Sequence, residues 1–186
     1  MRVTKKAVIE TASALIDQKG LNQISLKDVA EALGIRTPSL YNHINSLDEM
    51  LQEVAHAGMA EMNDLMTKSS IGKISDEAIK AVSAAYLKYM IEHPGIYETI
   101  QWASWHQTEE TTALLNQFEA LLMALIRSCG YDEAADASIL RLLTGLLHGY
   151  TTIQLRYAFD EPERVTKELT DAVDTVLTGV RIKYQK

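Results

Sequence analysis

The sequence predicts an all-α protein of nine helices, divided into a small head and a larger helical-bundle body. Apolar residues recur at spacings of three and four along nearly the whole chain of 186 residues. Glycine and proline interrupt this pattern, and serine or threonine precedes several apolar runs, as helix-capping residues do. No segment alternates apolar and polar residues in the manner of a half-buried strand. These three observations favour helices packed on helices.

The first two predicted helices have clear ends, and the second is short. An apolar stripe that begins at Val8 is closed by Gly20, a typical residue after a helix C-terminus. Ser25 and Asp28 then have the spacing of a capping box, in which each side chain bonds the backbone N–H of the other residue. Gly34 ends the helix that this pair opens.

The third predicted helix is the shortest, at about seven residues, and a link of only three residues separates it from the second. Thr37 is expected to cap it, with Pro38 in the first position, where a missing N–H costs nothing. Ser46 and Glu49 repeat the capping pattern and open a long fourth helix that is predicted to reach about Met66.

So short a third helix buries too little surface to be stable alone, so its neighbours must hold it. The short link predicts a helix-turn-helix, in which the second of the two helices projects outward to meet a DNA groove. The inward-facing apolar residues are predicted to be Val29, Ala30, Leu33, Ile35, Leu40 and Ile44. The outward-facing residues suit base edges and phosphates, with Tyr41 and Lys27 assigned to phosphates. The predicted DNA-binding residues are Lys27, Arg36, Thr37, Pro38, Ser39, Tyr41, Asn42 and His43.

The charge distribution separates the head from the rest of the chain. The net charge of −7 by itself argues against a nucleic-acid partner. The first 45 residues, however, carry six Lys or Arg against four Asp or Glu, whereas the remainder carries 12 against 21. A mildly basic head on an acidic body suits a head that meets phosphate, although short segments also fluctuate in charge without any function.

The second half of the chain is predicted to hold five further helices, at about 76–92, 96–102, 109–128, 136–157 and from Pro162 onward. The helix at 136–157 is apolar on more sides than one core can use, and the last helix offers another apolar stripe. The pair predicts a four-helix bundle across a two-fold axis, and therefore a homodimer. A dimer also lets two heads read a pseudo-palindromic operator in double-stranded DNA.

The segment ISLKDVAEALGIRTPSLYNHINSLDEMLQEV resembles the DNA-binding head of TetR/AcrR-type transcriptional regulators, and the resemblance covers about residues 4–55. It depends on the capped second helix, the glycine turn, the leucine–tyrosine pair with the histidine that follows, and the S-x-x-E-x-L opening of the fourth helix. Two positions depart from the family pattern. Leu47 stands where members commonly carry a lysine that reaches a phosphate, and Ile44 stands where an aromatic residue is usual.

The body resembles, less closely, the TetR-like C-terminal domains with a tryptophan/histidine-glycine signature. The similar segments are YLKYMIEHPGIYETI, LLTGLLHGYTTIQLRYAF and DEPERVTKELTDAVDTVLTGV. The resemblance implies a helix-turn-helix domain of residues 1–46, continuing into the start of the fourth helix, and a ligand-binding and dimerisation domain of residues 47–186. It also implies a ligand-responsive regulator, most often a repressor, that a small-molecule effector releases from its operator.

Methionine, aromatic and histidine side chains of the body form a candidate effector pocket. Such side chains at helical spacing are often plain core, and both interpretations stay open. Their chemistry favours an apolar or aromatic effector. The predicted pocket residues are Met59, Met62, Met66, Tyr86, Met90, Trp102, Trp105, His106, Met123 and His148.

Other classes of function leave no clear signature. The single cysteine, Cys129, excludes an internal disulfide and a cysteine-cage metal site. No signal peptide and no uncharged apolar run of about 18 residues is visible, which predicts a cytoplasmic protein that does not enter a membrane. The chain lacks G-x-S-x-G, P-loop and G-x-G-x-x-G motifs, so no catalytic residue and no cofactor is predicted.

A metal site is also not predicted. His106 lies at helical spacing from Glu109 and Glu110, but one histidine and its neighbouring carboxylates supply too few ligands. An all-helical enzyme or metal-binding protein with an incidental helix-turn-helix remains the alternative to a regulator.

Overall fold

The computed structural model describes residues 3–157 and 161–184, which form nine α-helices and no strand. The all-α prediction is confirmed. Ala158, Phe159 and Asp160, which belong to the segments compared above, lie outside the described residues, as do the first two and last two residues. The helices are α1 (Lys5–Lys19), α2 (Leu26–Ala32), α3 (Thr37–Leu40), α4 (Leu47–Ser70), α5 (Ser75–Glu92), α6 (Pro94–Trp105), α7 (Glu109–Ser128), α8 (Asp136–Tyr157) and α9 (Pro162–Tyr184).

The chain divides into two compact units. The first unit consists of Met1–Ala60 and His93–Leu114, and the second consists of Glu61–Glu92 and Leu115–Lys186. The first unit therefore holds α1–α3, the first part of α4, α6 and the start of α7. The division into domains of residues 1–46 and 47–186 stays a prediction, and the first unit contains all of the predicted head.

The ends of α1 and α2 follow from their local sequence. Thr4 accepts a hydrogen bond from the N–H of Ala7 at 3.2 Å and so caps α1. Ser25 and Asp28 form the predicted capping box. The Ser25 hydroxyl accepts from the Asp28 N–H at 3.3 Å, and the Asp28 carboxylate accepts from the Ser25 N–H at 3.0 Å.

The third helix differs from the prediction at both ends. The Ser39 N–H donates to the Arg36 carbonyl at 2.8 Å, so the first turn starts one residue early. Arg36 is the N-cap, without a side-chain bond, and the prediction that Thr37 caps α3 is wrong. The Leu40 carbonyl accepts from the N–H groups of both His43 and Ile44, and the chain continues beyond α3 as hydrogen-bonded turns. Only four residues are regular α-helix.

The fourth helix begins where predicted and ends later. Ser46 accepts from the Glu49 N–H at 3.0 Å, as expected of an N-cap. The Glu49 carboxylate, however, accepts from the N–H and side-chain amide of Asn45, at 2.8 and 2.6 Å, instead of from Ser46. The helix reaches Ser70, four residues beyond the predicted end. Likewise α6 is longer than its predicted range of 96–102.

Each unit has its own apolar core. In the first unit, α1 packs against α2 and α6, and its buried side chains include Val8 and Ile16. In the second unit, α5, α8 and α9 pack against one another. Their shared core contains Ile79, Val82, Leu87, Ile139, Leu143, Leu147, Leu169, Val173 and Leu177, all buried. Within the described residues, no helix is long and apolar enough to cross a membrane.

Candidate nucleic-acid interface

The segment from Arg36 to His43, hereafter the reading segment, rests on an apolar base. Val29, Ala30, Leu40 and Ile44 are at most 2% exposed, as predicted for side chains that hold α3 in place. Leu33 and Ile35, which were also expected in this base, are only half-buried. Because α3 is so short, this base rather than its own hydrogen bonds fixes the direction in which its polar side chains point.

The side chains predicted to meet DNA lie together on the outer side of this base. Tyr41 is 55% exposed, so its ring and hydroxyl are accessible at the surface of the unit. Five of the eight predicted residues are exposed: Lys27, Arg36, Pro38, Tyr41 and Asn42. The other three are half-buried: Thr37, Ser39 and His43. The group offers hydrogen-bond donors and acceptors next to two cations, which is the chemistry needed for base edges and phosphates.

Two cations, Arg36 in the reading segment and Lys27 on α2, are available to contact DNA. Among the described residues, neither Lys27 nor Arg36 has a carboxylate partner within ion-pair distance. The neighbouring Lys19 instead donates to the Asp28 carboxylate at 2.8 Å. That bond, together with the bond from the Ser25 hydroxyl, lowers the pKa of Asp28 to about 2. Asp28 is therefore ionised at neutral pH and holds the start of α2.

The start of α4 has no cation of its own. Leu47 is half-buried at the first position of the helix, where the family resemblance implies a lysine. Asp48 and Glu49 follow it, and bonds from Asn45 lower the pKa of Glu49. The Lys5 ammonium lies 2.7 Å from Glu53 and 3.8 Å from Glu49. The N-terminal end of α4 is therefore acidic, and ion pairs with Lys5 join it to α1.

Two of the predicted pocket residues, Tyr86 and His148, form a group in the second unit with Phe118, which sequence reasoning missed. Tyr86 and His148 are joined by a bond of 3.3 Å between the hydroxyl and Nδ1. Phe118 packs its ring 5.8 Å from that of Tyr86. Burial lowers the pKa of His148, so its imidazole is neutral at physiological pH. The buried methionines of the prediction in this unit are Met62, Met66 and Met90.

Met123 is half-buried and borders a surface depression of about 840 Å³ in the second unit. The other lining residues of this depression are mostly polar. Arg127 and Asp136 form an ion pair at 3.0 Å, and Tyr131 lies beside them. A largely apolar effector would find few partners there.

The remaining predicted pocket residues belong to the first unit. Met59 is fully buried, and the Trp102 ring stacks on that of His106 with centroids 4.4 Å apart. Trp105 is 85% exposed and lies on the surface of its unit. The ten predicted residues are thus distributed over both units, and their assignment to one pocket stays a prediction.

Sequence reasoning also missed a polar cluster in the first unit. His56 on α4 is buried, and its Nε2 lies 2.8 Å from the Thr111 hydroxyl of α7. Its Nδ1 lies 3.4 Å from a Glu110 carboxylate oxygen, and Gln52 donates to the His106 carbonyl at 2.6 Å. His56 is three residues before Met59 on the same helix, and this spacing was the available signal.

Neither a metal site nor a reactive thiol is evident in the part of the chain that the structure describes. Residues 3–157 and 161–184 contain no group of three or more His, Cys, Asp or Glu side chains that could hold a metal ion. Burial raises the pKa of the Cys129 thiol, which leaves it a weaker nucleophile at neutral pH.

The fold and this exposed polar segment are those of a helix-turn-helix transcriptional regulator. A family model described as bacterial regulatory proteins, tetR family, matches residues 8–54. A second model, described as the tetracyclin repressor-like C-terminal domain, matches residues 79–176. The chain belongs to the TetR family and is a DNA-binding transcriptional regulator, which confirms the resemblance described above.

One relative is similar in sequence along nearly the whole chain, and two solved structures share the fold. An uncharacterised HTH-type transcriptional regulator of Bacillus subtilis, YobS, is 32% identical over 181 residues, covering 97% of this chain and 94% of the relative. The TetR-family regulator PfmR of Thermus thermophilus has the same fold, with a TM-score of 0.73 at 24% identity, covering 95% of this chain and 97% of the other. A protein of unknown function from Rhodococcus has a TM-score of 0.82 at 14% identity, covering 97% and 96%.

Proposed function

We propose that this regulator is a homodimeric repressor that binds a pseudo-palindromic operator through two copies of the reading segment and is released by a small apolar or aromatic effector. The observation that carries the proposal is the exposed polar set around Tyr41, set on a fully buried apolar base. A surface of this kind presents base-reading groups at a fixed orientation, which sequence-specific binding requires. The chain acts by binding and not as an enzyme.

The DNA contacts divide into two classes. Arg36 and Asn42 are proposed to read base edges, whereas Lys27 and Tyr41 are proposed to contact phosphates. Removing a base-reading group costs about 1–3 kcal/mol at one position of the operator and relaxes specificity there. Removing a phosphate contact weakens binding to all sequences alike and lowers the dependence of affinity on salt.

An operator selected from random duplex DNA with the intact protein supplies the test. Arg36→Ala and Tyr41→Ala are compared with wild type by fluorescence anisotropy at several salt concentrations. Lys88→Ala is the matched control, because Lys88 is an exposed cation of the second unit that pairs with Glu92 of its own helix. Unchanged affinity in both head variants would refute the proposed orientation of the reading segment. Failure of the wild-type protein to select any sequence would refute the function itself.

An apolar surface on α8 supports the dimer. Leu142 and Ile153 are 50% and 47% exposed, with Leu146 half-buried between them. Gly145 and Gly149 lie on the same helix, and a Cβ at either position would meet no atom within 4 Å. A second copy covering this surface together with α9 would form a four-helix bundle with an interface above about 2,000 Å². Small residues at the centre allow such helices to approach closely.

The side chains around Tyr86 support the proposed effector class. Phe118 and the buried methionines offer apolar contact, and the neutral His148 can accept or donate one orienting hydrogen bond. Helix α4 begins at Leu47, shortly after the reading segment in the sequence, and its later part belongs to the second unit. We propose that a ligand beside Met62 or Met66 moves this helix and lowers operator affinity about 5- to 150-fold.

A thermal-shift screen followed by DNA-release measurements tests the switch. An effector at 100 times its dissociation constant adds about 2.7 kcal/mol of stability to the folded protein. A true effector also releases the operator at saturation, and Tyr86→Ala removes both effects. Stabilising compounds that all leave operator affinity unchanged would refute the proposed role of α4.

A further inference from the structure

Helix α6 is joined to the last turn of α1 by a set of contacts, hereafter the α1–α6 joint. The Asp17 carboxylate accepts hydrogen bonds from the N–H groups of Gly95 and Ile96 at 2.9 and 3.2 Å. These N–H groups belong to the first turn of α6, where they lack partners within the helix. A carboxylate at this position also interacts favourably with the helix dipole. A side chain of α1 therefore caps α6.

The bonding at the joint is reciprocal. Glu98 of α6 accepts from the N–H of Leu21, just after the end of α1, at 3.2 Å. His93 adds a contact of 3.0 Å between its Nδ1 and the second carboxylate oxygen of Asp17. A carboxylate of α1 thus binds the backbone of α6, and a carboxylate of α6 binds the backbone just after α1.

Gly95 allows the backbones of α1 and α6 to approach each other closely at this joint. A Cβ at Gly95 would lie 2.5 Å from the carbonyl carbon and oxygen of Ile16. These atoms are backbone atoms of α1, so they cannot move away as a side chain could. The backbones of the two helices are therefore in direct contact, and any residue larger than glycine at position 95 must separate them.

The joint is connected to the reading segment through the same unit. Two residues after Asp17, Lys19 donates to the Asp28 carboxylate at 2.8 Å, and Asp28 caps α2. Helix α2 in turn packs on α3. A series of contacts therefore connects α6 to α1, α1 to α2, and α2 to the reading segment.

We infer that Asp17, Gly95 and Glu98 are positioning residues for DNA recognition: they make α6 part of the DNA-binding unit and set the orientation of the reading segment. This inference rests on the proposed function, because it concerns how two heads match an operator. The positions of the two reading segments in a dimer determine the half-site spacing that it binds, so residues that orient the reading segment should change the preferred spacing. A change that only weakens the fold lowers affinity for all spacings alike.

The test uses the intact protein and three forms of its selected operator, with the natural half-site spacing and with one base pair added or removed. Gly95→Ala wedges the joint apart, and Asp17→Asn keeps the side-chain oxygen but removes its charge. Val82→Ala, in the core of the second unit, is the control for lost stability. We expect the two joint variants to change the relative affinity for the spacings about fivefold or more, and the control to leave it unchanged.

Hydrogen exchange provides a readout that does not depend on DNA. In Asp17→Asn, amides of residues 21–40 should exchange about tenfold faster or more, because a charge-assisted contact that holds them has been weakened. Wild-type spacing preference and wild-type exchange in Asp17→Asn would overturn the inference while leaving the proposed function intact. A wild-type protein that binds no DNA would instead refute the proposed function.

Discussion

Gly58 on α4 faces α6 so closely that a methyl group at this position should destabilise the first unit. A Cβ there would lie 2.3 Å from Cγ2 of Ile96, whereas carbon atoms in contact are separated by about 3.5–4.0 Å. The Cγ2 methyl is attached directly to the branched Cβ of Ile96, so it can move away only through a change of rotamer or a shift of α6.

Two opposing effects decide the size of the change. Alanine in place of glycine inside a helix stabilises it by about 1 kcal/mol. Overpacking of a well-filled core costs about 1–3 kcal/mol, and a separation about 1.2 Å too short belongs at the upper end of that range. We therefore expect Gly58→Ala to lower the free energy of unfolding by about 1–2 kcal/mol.

Two substitutions at Ile96 identify the atom responsible. Ile96→Ala removes Cγ2, and Gly58→Ala in that background should become neutral or stabilising. Ile96→Val removes only the outer methyl and keeps an equivalent of Cγ2, so the cost of Gly58→Ala should persist there. The coupling energy between Gly58→Ala and Ile96→Ala is expected to be about 2 kcal/mol.

Urea unfolding followed by circular dichroism measures these free energies. Protein concentration must be the same for all variants, because dissociation of the proposed dimer would contribute to the measured stability. Gly58→Ala that stabilises the wild-type background, or that costs the same with and without Cγ2, would refute this account of α4 packing on α6.

Three further predictions concern other parts of the chain. Because its pKa is raised by burial, the Cys129 thiol should react with iodoacetamide at pH 8 more slowly than a free thiol and accelerate on unfolding; equal rates would contradict the burial. The bond from Lys19 lowers the pKa of Asp28 to about 2, below its unfolded value, so the stability it provides is present above about pH 4 and is lost as pH falls towards 2. In an acid titration followed by circular dichroism, Asp28→Asn should lose less stability than wild type as pH falls, because it lacks the ionised carboxylate. Titration curves that are the same for Asp28→Asn and wild type would contradict this prediction. Leu146→Glu should produce a monomer in analytical ultracentrifugation at micromolar concentration while Leu65→Glu, on an exposed site of α4, remains a dimer; a dimeric Leu146→Glu would exclude this face of α8 as the interface.

Features determined by residues close in sequence could be predicted from the sequence. The capping box of Ser25 and Asp28 was predicted correctly, as were both ends of α7 and α8, because caps and stop residues act within one turn. The end of α4 was missed for an equally local reason. Serine residues usually favour caps and loops, but Ser69 and Ser70 remain helical, with their hydroxyls donating to carbonyls three residues earlier.

Features that depend on contacts between distant residues could not be predicted in the same way. Periodicity shows which side of a helix is apolar, but it does not show which other helix covers that side. Tyr86 and His148 are 62 residues apart, and Asp17 and Gly95 are 78 residues apart. The spacing of His56 from Met59 indicated that it lies on the apolar side of α4, but its partner Thr111 is 55 residues away and could not be predicted.

The reciprocal bonds between α1 and α6 have a consequence for the construction of chimeric regulators. Exchanging the first 46 residues for those of a relative would join a foreign α1 to the native α6. The recipient would keep Gly95 and Glu98, but Asp17 would be replaced by the donor's residue. A donor without a carboxylate at that position would leave the N–H groups at the start of α6 without their acceptor. A functional graft should therefore carry α6 together with the head, although more than 40 residues of chain separate the two segments.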